Sequence, residues 1–378
     1  MDNTIKTIAF YLPQFHEIEE NNRWWGKGFT EWENVKKAKP LYDNHYQPRI
    51  PLNKNYYDLS NIDVMKWQVE IAKKYGLYGF CFYHYWFNDG HMLLEKPVEN
   101  FLKHTELNMP FCLSWANEPW TKAWVSKSDV VLINQDYMGE EVWKKHFDYL
   151  LPYFLDSRYI KDNNRPIFIV YRPELIPQFN EMMDYFNALA RENGFDDGLC
   201  IMSQGHWMDE LDVDDSRIDY RIEYEPGRIR KYIQGKGFLL KTKIAKKIDD
   251  ITFNIFGHKA SEYYLKVRKL NYDNVWEGIL NSKPVSGKYI AGAFVGWDNT
   301  PRRTNKGEVI EGSTPQKFQE YMIRNIERVR KYYSTNYIFI FAWNEWAEGG
   351  YLEPDEKYQY GYLKALKNAL EVGDSTDE

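Results

Sequence analysis

Eight short apolar runs recur along the chain, and most of them give way at their carboxyl ends to segments crowded with Trp, Tyr, His, Asn and acidic residues. The runs cover residues 7–12, 77–83, 109–114, 166–171, 199–203, 218–222, 289–295 and 337–342. Each has the length of a buried strand, and stretches of helical periodicity separate them, which is the pattern of a parallel α/β fold. Eight βα units close a barrel, and in such barrels chemistry collects at the carboxyl ends of the strands. The expectation is therefore an α/β protein, a (β/α)8 TIM barrel, with a long loop after the first strand (14–59) and a helical insertion before strand seven, about 223–288. One domain spans 1–372, and 373–378 form a polar tail.

Helix signals support the division. Ser60 with Asp63 reads as a capping box ahead of Ile62, Met65, Val69 and Ala72, and Gly76 ends the segment. A second helix lies near 175–192, and a third starts at Thr314-Pro315, with Thr as cap and Pro in the first turn. Phe318, Met322 and Val329 form its inner face, and a last helix covers about 358–369. Lys241, Lys243, Lys246 and Lys247 sit in the insertion, whose face could serve as a lid or a partner surface.

Composition excludes several classes. The net charge is −6, without a long block of one sign, so no nucleic-acid footprint is expected. Cys81, Cys112 and Cys200 show neither metal nor disulfide spacing. No apolar run reaches the ~20 residues of a membrane span and no signal-peptide core is seen, so a cytoplasmic protein without membrane insertion is expected. Aromatic residues make up 17% of the chain, although the mean hydropathy is −0.66. Rings mixed with Asn, Glu and His suit a sugar surface, since pyranose faces stack on rings while hydroxyls need hydrogen bonds.

The post-strand segments supply the candidate residues. Strand one is followed by Gln14 and His16, then Trp24 and Trp25. Strand two is followed by His84 and Trp86, strand three by Trp115, Asn117 and Glu118, and strand four by Tyr171. His206 follows strand five, Trp297 and Asp298 strand seven, and Trp343, Asn344, Glu345 and Glu348 strand eight. Each has a plainer reading: His84 and Trp86 as a core cluster, Asn117-Glu118 as a helix cap, Trp24-Trp25 as a loop staple. Glu223 and Glu225 stay in reserve. His206 lacks a metal-spaced partner, so a hydrogen-bonded pocket histidine is expected rather than a ligand.

Glu345 and Glu348 carry the sharpest signal. A turn or helical start would put residues three apart on one face. Two close carboxyls cannot ionise equally, which divides acid from base as glycoside cleavage requires. Spacing alone fits a solvated acidic pair at a helix start equally well; the flanking Trp343, Asn344 and Trp346 favour a site.

Four long motifs then converge on one family. Ala9-Phe10-Tyr11-Leu12-Pro13-Gln14-Phe15-His16, Trp24-Trp25-Gly26-Lys27-Gly28-Phe29-Thr30-Glu31-Trp32, Tyr78-Gly79-Phe80-Cys81-Phe82-Tyr83-His84-Tyr85-Trp86-Phe87 and Ala342-Trp343-Asn344-Glu345-Trp346-Ala347-Glu348-Gly349 resemble the WbsX family. That family carries the labels glycosyltransferase and lipopolysaccharide biosynthesis protein, and is related to the endo-α-mannosidases and endo-α-mannanases of glycoside hydrolase family 99. The resemblance covers about residues 8–355 and implies a (β/α)8 barrel. Family 99 has Asn-Glu-Trp-His-Glu in the last motif. The resemblance implies that Glu345 deprotonates the sugar 2-hydroxyl to form a 1,2-anhydro sugar. It implies that Glu348 is general acid and then base, with retention of configuration. Ala347 replaces the histidine, so mannose specificity does not carry over.

The resulting expectation is a retaining, endo-acting glycoside hydrolase or transglycosylase without a cofactor, acting on an α-linked bacterial surface polysaccharide or its lipid-linked precursor. Two alternatives stand beside it. A nucleotide-sugar glycosyltransferase would use Asp212-Val213-Asp214, although Asp209, Asp215 and Asp219 make that run look like a solvated loop, and no Gly-rich phosphate cradle is present. A non-catalytic glycan-binding barrel would keep the aromatic floor without chemistry. The sequence does not set an oligomeric state.

Overall fold

Parallel pairing carries the chain once around a closed ring. The computed structural model describes residues 4–121, 131–137, 139–205, 216–230, 233 and 267–375. Eight strands form the ring: β1 (Lys6–Tyr11), β2 (Gly79–Trp86), β3 (Phe111–Trp115), β4 (Arg165–Val170), β5 (Cys200–Ser203), β6 (Tyr220–Ile222), β7 (Tyr289–Phe294) and β8 (Tyr337–Phe341). Each pairs in parallel with the next, and β8 returns to β1 through registers such as Lys6 opposite Tyr337. This is the expected (β/α)8 barrel. Outer helices include α1 (Ile62–Lys74), α2 (Lys96–Lys103), α3 (Glu140–Leu155), α4 (Phe179–Glu192), α5 (Tyr272–Asn281), α6 (Pro315–Tyr332) and α7 (Gly361–Ser375).

Local chemistry sets the helix starts. The Asn61 side chain, rather than Ser60, caps α1 by accepting from the Asp63 backbone N–H. Thr314 caps α6 as expected, through Lys317 N. Within the stretch read as an insertion, α5 is a barrel helix: Trp276 stacks on Phe294 of β7 and on Tyr321 of α6. The four lysines at 241, 243, 246 and 247 lie outside the described residues.

The barrel interior is aromatic rather than aliphatic. Phe10 stacks on Tyr83 with centroids 5.7 Å apart and meets the edge of Tyr224, which in turn meets Phe341. Trp115, Trp276, Trp343 and Trp346 are fully buried. Much of the ring content therefore packs the core rather than a sugar-facing surface. Cys81, Cys112 and Cys200 are buried and free. Among the described residues no helix is long and apolar enough to cross a membrane.

The strand ends decide which side chains reach the mouth. Strand two runs three residues past its expected end because Tyr85 and Trp86 pair antiparallel with Leu93 and Met92. His84 and Trp86 are thus strand residues, and alternation sends them outward while Tyr83 and Tyr85 face in. The long β1–α1 connection folds across the mouth, where Leu52 N and Ile50 O bond the backbone of Pro354 and Glu356.

Close approach between β7 and β6 leaves no space at Gly292, where a Cβ would run into the carbonyl oxygen of Glu223. Gly292→Ala is expected to open the ring there at a cost of roughly 3 kcal/mol or more. A large drop in melting temperature, with activity lost in parallel, is the outcome that checks it.

Candidate active site

Beyond β8 the chain makes a tight hairpin. Asn344 and Glu345 pair with Tyr351 and Gly350, and the turn between them is one 3-10 turn, Trp346–Glu348, closed by Gly349 at φ 65°. Residues three apart eclipse in such a turn, so Glu345 and Glu348 come onto one face. There they meet Arg302, from the short helix Thr300–Arg303 after β7. Arg302 Nη1 donates to Glu348 at 2.7 Å and Nη2 to Glu345 at 3.4 Å. Its Nε donates to Glu31 at 2.7 Å. Three carboxylates therefore surround one guanidinium whose side chain is 8% exposed.

The electrostatics follow from burial. Desolvation pushes the Glu345 carboxyl up to about 8; Arg302 pulls against this, and Glu348 and Glu31 add to the rise. Burial opposes the Arg302 charge, and the attraction of Glu31, Glu348 and Glu345 more than restores it. Beneath the hairpin, burial also raises Glu353, to about 7, although Trp346 Nε1, Gln68 Nε2 and Tyr57 OH all donate to it within 2.8 Å. Trp346, stacked on Tyr351 at 3.8 Å, thus ties the turn to its floor.

A cleft of about 550 Å³, counting its open mouth, adjoins the Glu31–Arg302 pair. Gln14, Trp25 and Tyr85 are among the residues lining it. Burial raises the Tyr171 hydroxyl, and the charges of Glu118, Glu348 and Glu345 raise it further. Trp297 lies under the Arg230 guanidinium at 4.3 Å. Glu118 pairs with Arg172, and burial lifts its carboxyl above the ordinary range.

Other expected pocket residues occupy different places. His84 sits behind the barrel with Nε2 3.0 Å from His146 Nε2, Trp86 stacks on His146 at 4.7 Å, and Trp115 packs against the same ring. The pocket roles expected for His84 and Trp86 are corrected accordingly: the outward parity of β2 puts both against α3, and burial pushes His84 down to about 3. Trp343 packs on Phe80 without exposure. Trp24 meets the edge of Trp120, and His16 bonds the Pro13 carbonyl. His206 lies outside the described residues, as do Asp209 and 212–215. The reserve carboxylates Glu223 and Glu225 are engaged by Arg228, and Glu223 also by Arg328.

Three polar residues expected on sugar instead brace the loops. Asn344 accepts from Leu12 N at 2.7 Å and donates to Leu12 O at 3.0 Å, clamping β8 to β1. Asn117 clamps Arg172 N and O in the same way, joining β3 to β4. Asp298 accepts from Gln47 Nε2 at 2.7 Å and Thr300 Oγ1 at 2.6 Å, with His45 Nε2 at 2.9 Å. Burial would raise its carboxyl, but His45 and Arg49 outweigh that and hold it below the usual range. It anchors the turn that carries Arg302.

Glu31, Arg302, Tyr85 and Glu353 were missed. Glu31 had a signal, since it lies in the motif after β1, and Arg302-Arg303 follows β7. Nothing local marked Glu353 as buried.

Comparison with known proteins adds the family context. The family described as Glycosyltransferase WbsX matches residues 7–366. Two proteins of Xanthomonas campestris pv. campestris, strains B100 and ATCC 33913, both described as uncharacterized protein WxcX, are 34% identical over 365 residues. The match covers 96% of this chain and 49% of theirs, so the chain spans about half the length of these curated relatives. The GH99 endo-alpha-mannosidase from Bacteroides thetaiotaomicron superposes with TM-score 0.58 at 13% identity, covering 100% of this chain and 99% of that one. A glycoside hydrolase-like protein gives 0.56 at 13%, covering 97% and 94%. These likenesses are of fold.

The raised Glu345 carboxyl makes stability depend on pH with a definite sign. A folded value near 8 against an ordinary 4.5 means its contribution is full below about 4.5 and is lost as pH rises through 8. Glu345→Gln does not titrate, so relative to wild type it should gain roughly 5 kcal/mol between pH 4.5 and 9. Urea unfolding of both proteins across that range measures the difference; a constant gap contradicts the assigned shift.

Proposed function

The chain belongs to the WbsX family, and from that premise we propose that it is a glycan-active enzyme that cleaves or transfers an α-linked glycan with retention, using Glu345 and Glu348. One observation carries the reading: the two carboxylates share a single buried guanidinium at the carboxyl end of β8, beside an aromatic cleft. Barrel enzymes place their chemistry at this end. The fold likeness to the GH99 endo-alpha-mannosidase supports it.

In this reading Glu345 takes the proton of the sugar 2-hydroxyl while that oxygen attacks C1. Glu348 protonates the departing glycosidic oxygen as its bond to C1 breaks. Glu348 then removes a proton from water, the water oxygen bonds to C1, and the C1–O2 bond opens as Glu345 returns its proton. Two inversions give net retention. A carboxyl titrating near 8 is a stronger base than an ordinary one, which suits a weakly acidic hydroxyl. Arg302 keeps the carboxylates apart in charge and fixed in direction. With a sugar hydroxyl in place of water, the same steps transfer the glycan, which the family's description favours. A bacterial surface polysaccharide or its lipid-linked precursor is the proposed substrate.

Glu345→Gln and Glu348→Gln should each lower turnover by about 10³-fold or more, while folding and glycan binding persist. Digestion of surface polysaccharides, read by mass spectrometry, supplies the assay, and full activity in either variant refutes the assignment. With Glu345 as base, kcat/KM should climb as pH rises towards about 8. A fall over the same interval would instead make Glu345 the acid.

A further inference from the structure

The cleft beside Arg302 sets an aromatic wall against the polar groups of Gln14, Asn21, Glu31, Asn34, Thr121 and Arg302. Trp25, Phe29, Tyr85 and Trp120 wall it. Trp25 and Phe29 lie 6.0 Å apart at 41°, and Tyr85 meets Trp120 edge-on at 5.2 Å. Into this apolar wall projects Asn21, from the short helix Glu19–Trp25. Asn21 is 3% exposed, lines the cleft, and its side-chain amide has no hydrogen-bond partner among the described residues. Its amide can be reached only from the cleft, so a ligand group with one donor and one acceptor can pair with both of its polar atoms there. Asn34 stands nearby with its Nδ2 engaged by Glu31 at 3.2 Å, which ties the cleft to the carboxylate cluster.

We propose that this cleft is a subsite for an N-acylated amino sugar. An acylamido group offers one N–H and one C=O, reciprocal to the Asn21 carboxamide, and its methyl belongs against rings. A hexose bearing only hydroxyls can use the polar lining, but it has no methyl for the wall of Trp25, Phe29 and Trp120. Glu345 and Glu348 do not line the cleft; they lie across Arg302 from it. The acylated residue is therefore the neighbour of the sugar whose bond is cleaved, and that sugar keeps the free 2-hydroxyl the mechanism requires. This rests on the glycan reading above and names its substrate class.

The test is binding, which needs no turnover. Methyl α-glycosides of N-acetylglucosamine and N-acetylgalactosamine are compared with methyl α-glucoside and methyl α-galactoside by saturation-transfer NMR and competition. The acetamido glycosides should bind about ten-fold or more tightly, with strongest saturation at the acetyl methyl. Asn21→Leu should reduce that preference to within about two-fold, and Trp25→Ala, at a half-buried position, provides a second variant should the first not fold. Glu345→Gln should retain the preference unchanged. Equal affinity for acetamido and hydroxyl pairs, no saturable acetamido signal, or a preference that survives both cleft variants overturns the subsite. Retained turnover in Glu345→Gln would overturn the catalytic assignment and leave this result standing.

Discussion

A guanidinium taken out of water at the mouth of the barrel organises everything around it. Arg302, from the segment after β7, has on its three nitrogens Glu31, from the loop after β1, and Glu345 and Glu348, from the turn after β8. Desolvating such charges is expensive, and stripping one partner from a buried ionic group costs about 3–5 kcal/mol. The cluster therefore holds three loops in register, because no loop can leave without stranding charge. It also sets the proton affinity of Glu345: burial raises it and Arg302 limits the rise. Loop order and the raised Glu345 carboxyl thus depend on one contact.

Around that contact the polar side chains brace rather than reach. Asn344 and Asn117 each spend a whole amide on a neighbouring strand end. Asp298 gathers His45, Gln47 and Thr300, and Glu353 gathers Tyr57, Gln68 and Trp346. Such bonds orient the groups at the surface of the site, where small misplacements are costly. The apolar wall of Trp25, Phe29 and Trp120 stands beside this braced cluster.

The barrel was legible because strand and helix periods differ and because eight apolar runs appear in order. The pair at 345 and 348 was legible because a three-residue spacing becomes one face in any tight turn. Strand two shows where such reading fails. Its expected end at 83 missed the antiparallel pairing with Met92–Leu93, and its pocket residues were chosen on the wrong parity. His84 and Trp86 have chemistry-bearing side chains, but alternation points them at α3, while the plainer Tyr85 faces the cleft. The tryptophans mislead similarly, since Trp115 and Trp343 lie deep in the core.

Residue order is enough to specify what depends on neighbours along the chain. That includes the period of each element, the Thr314 cap, and the turn that brings Glu345 beside Glu348. It is not enough for groups that meet across the ring. Arg302 lies 271 positions from Glu31, and Glu353 lies 285 from Gln68. Nothing in either local segment states that partnership, because burial and proton affinity depend on what the closed barrel brings alongside. Coulomb and desolvation energies depend on distance through space, and closure of β8 onto β1 creates that proximity.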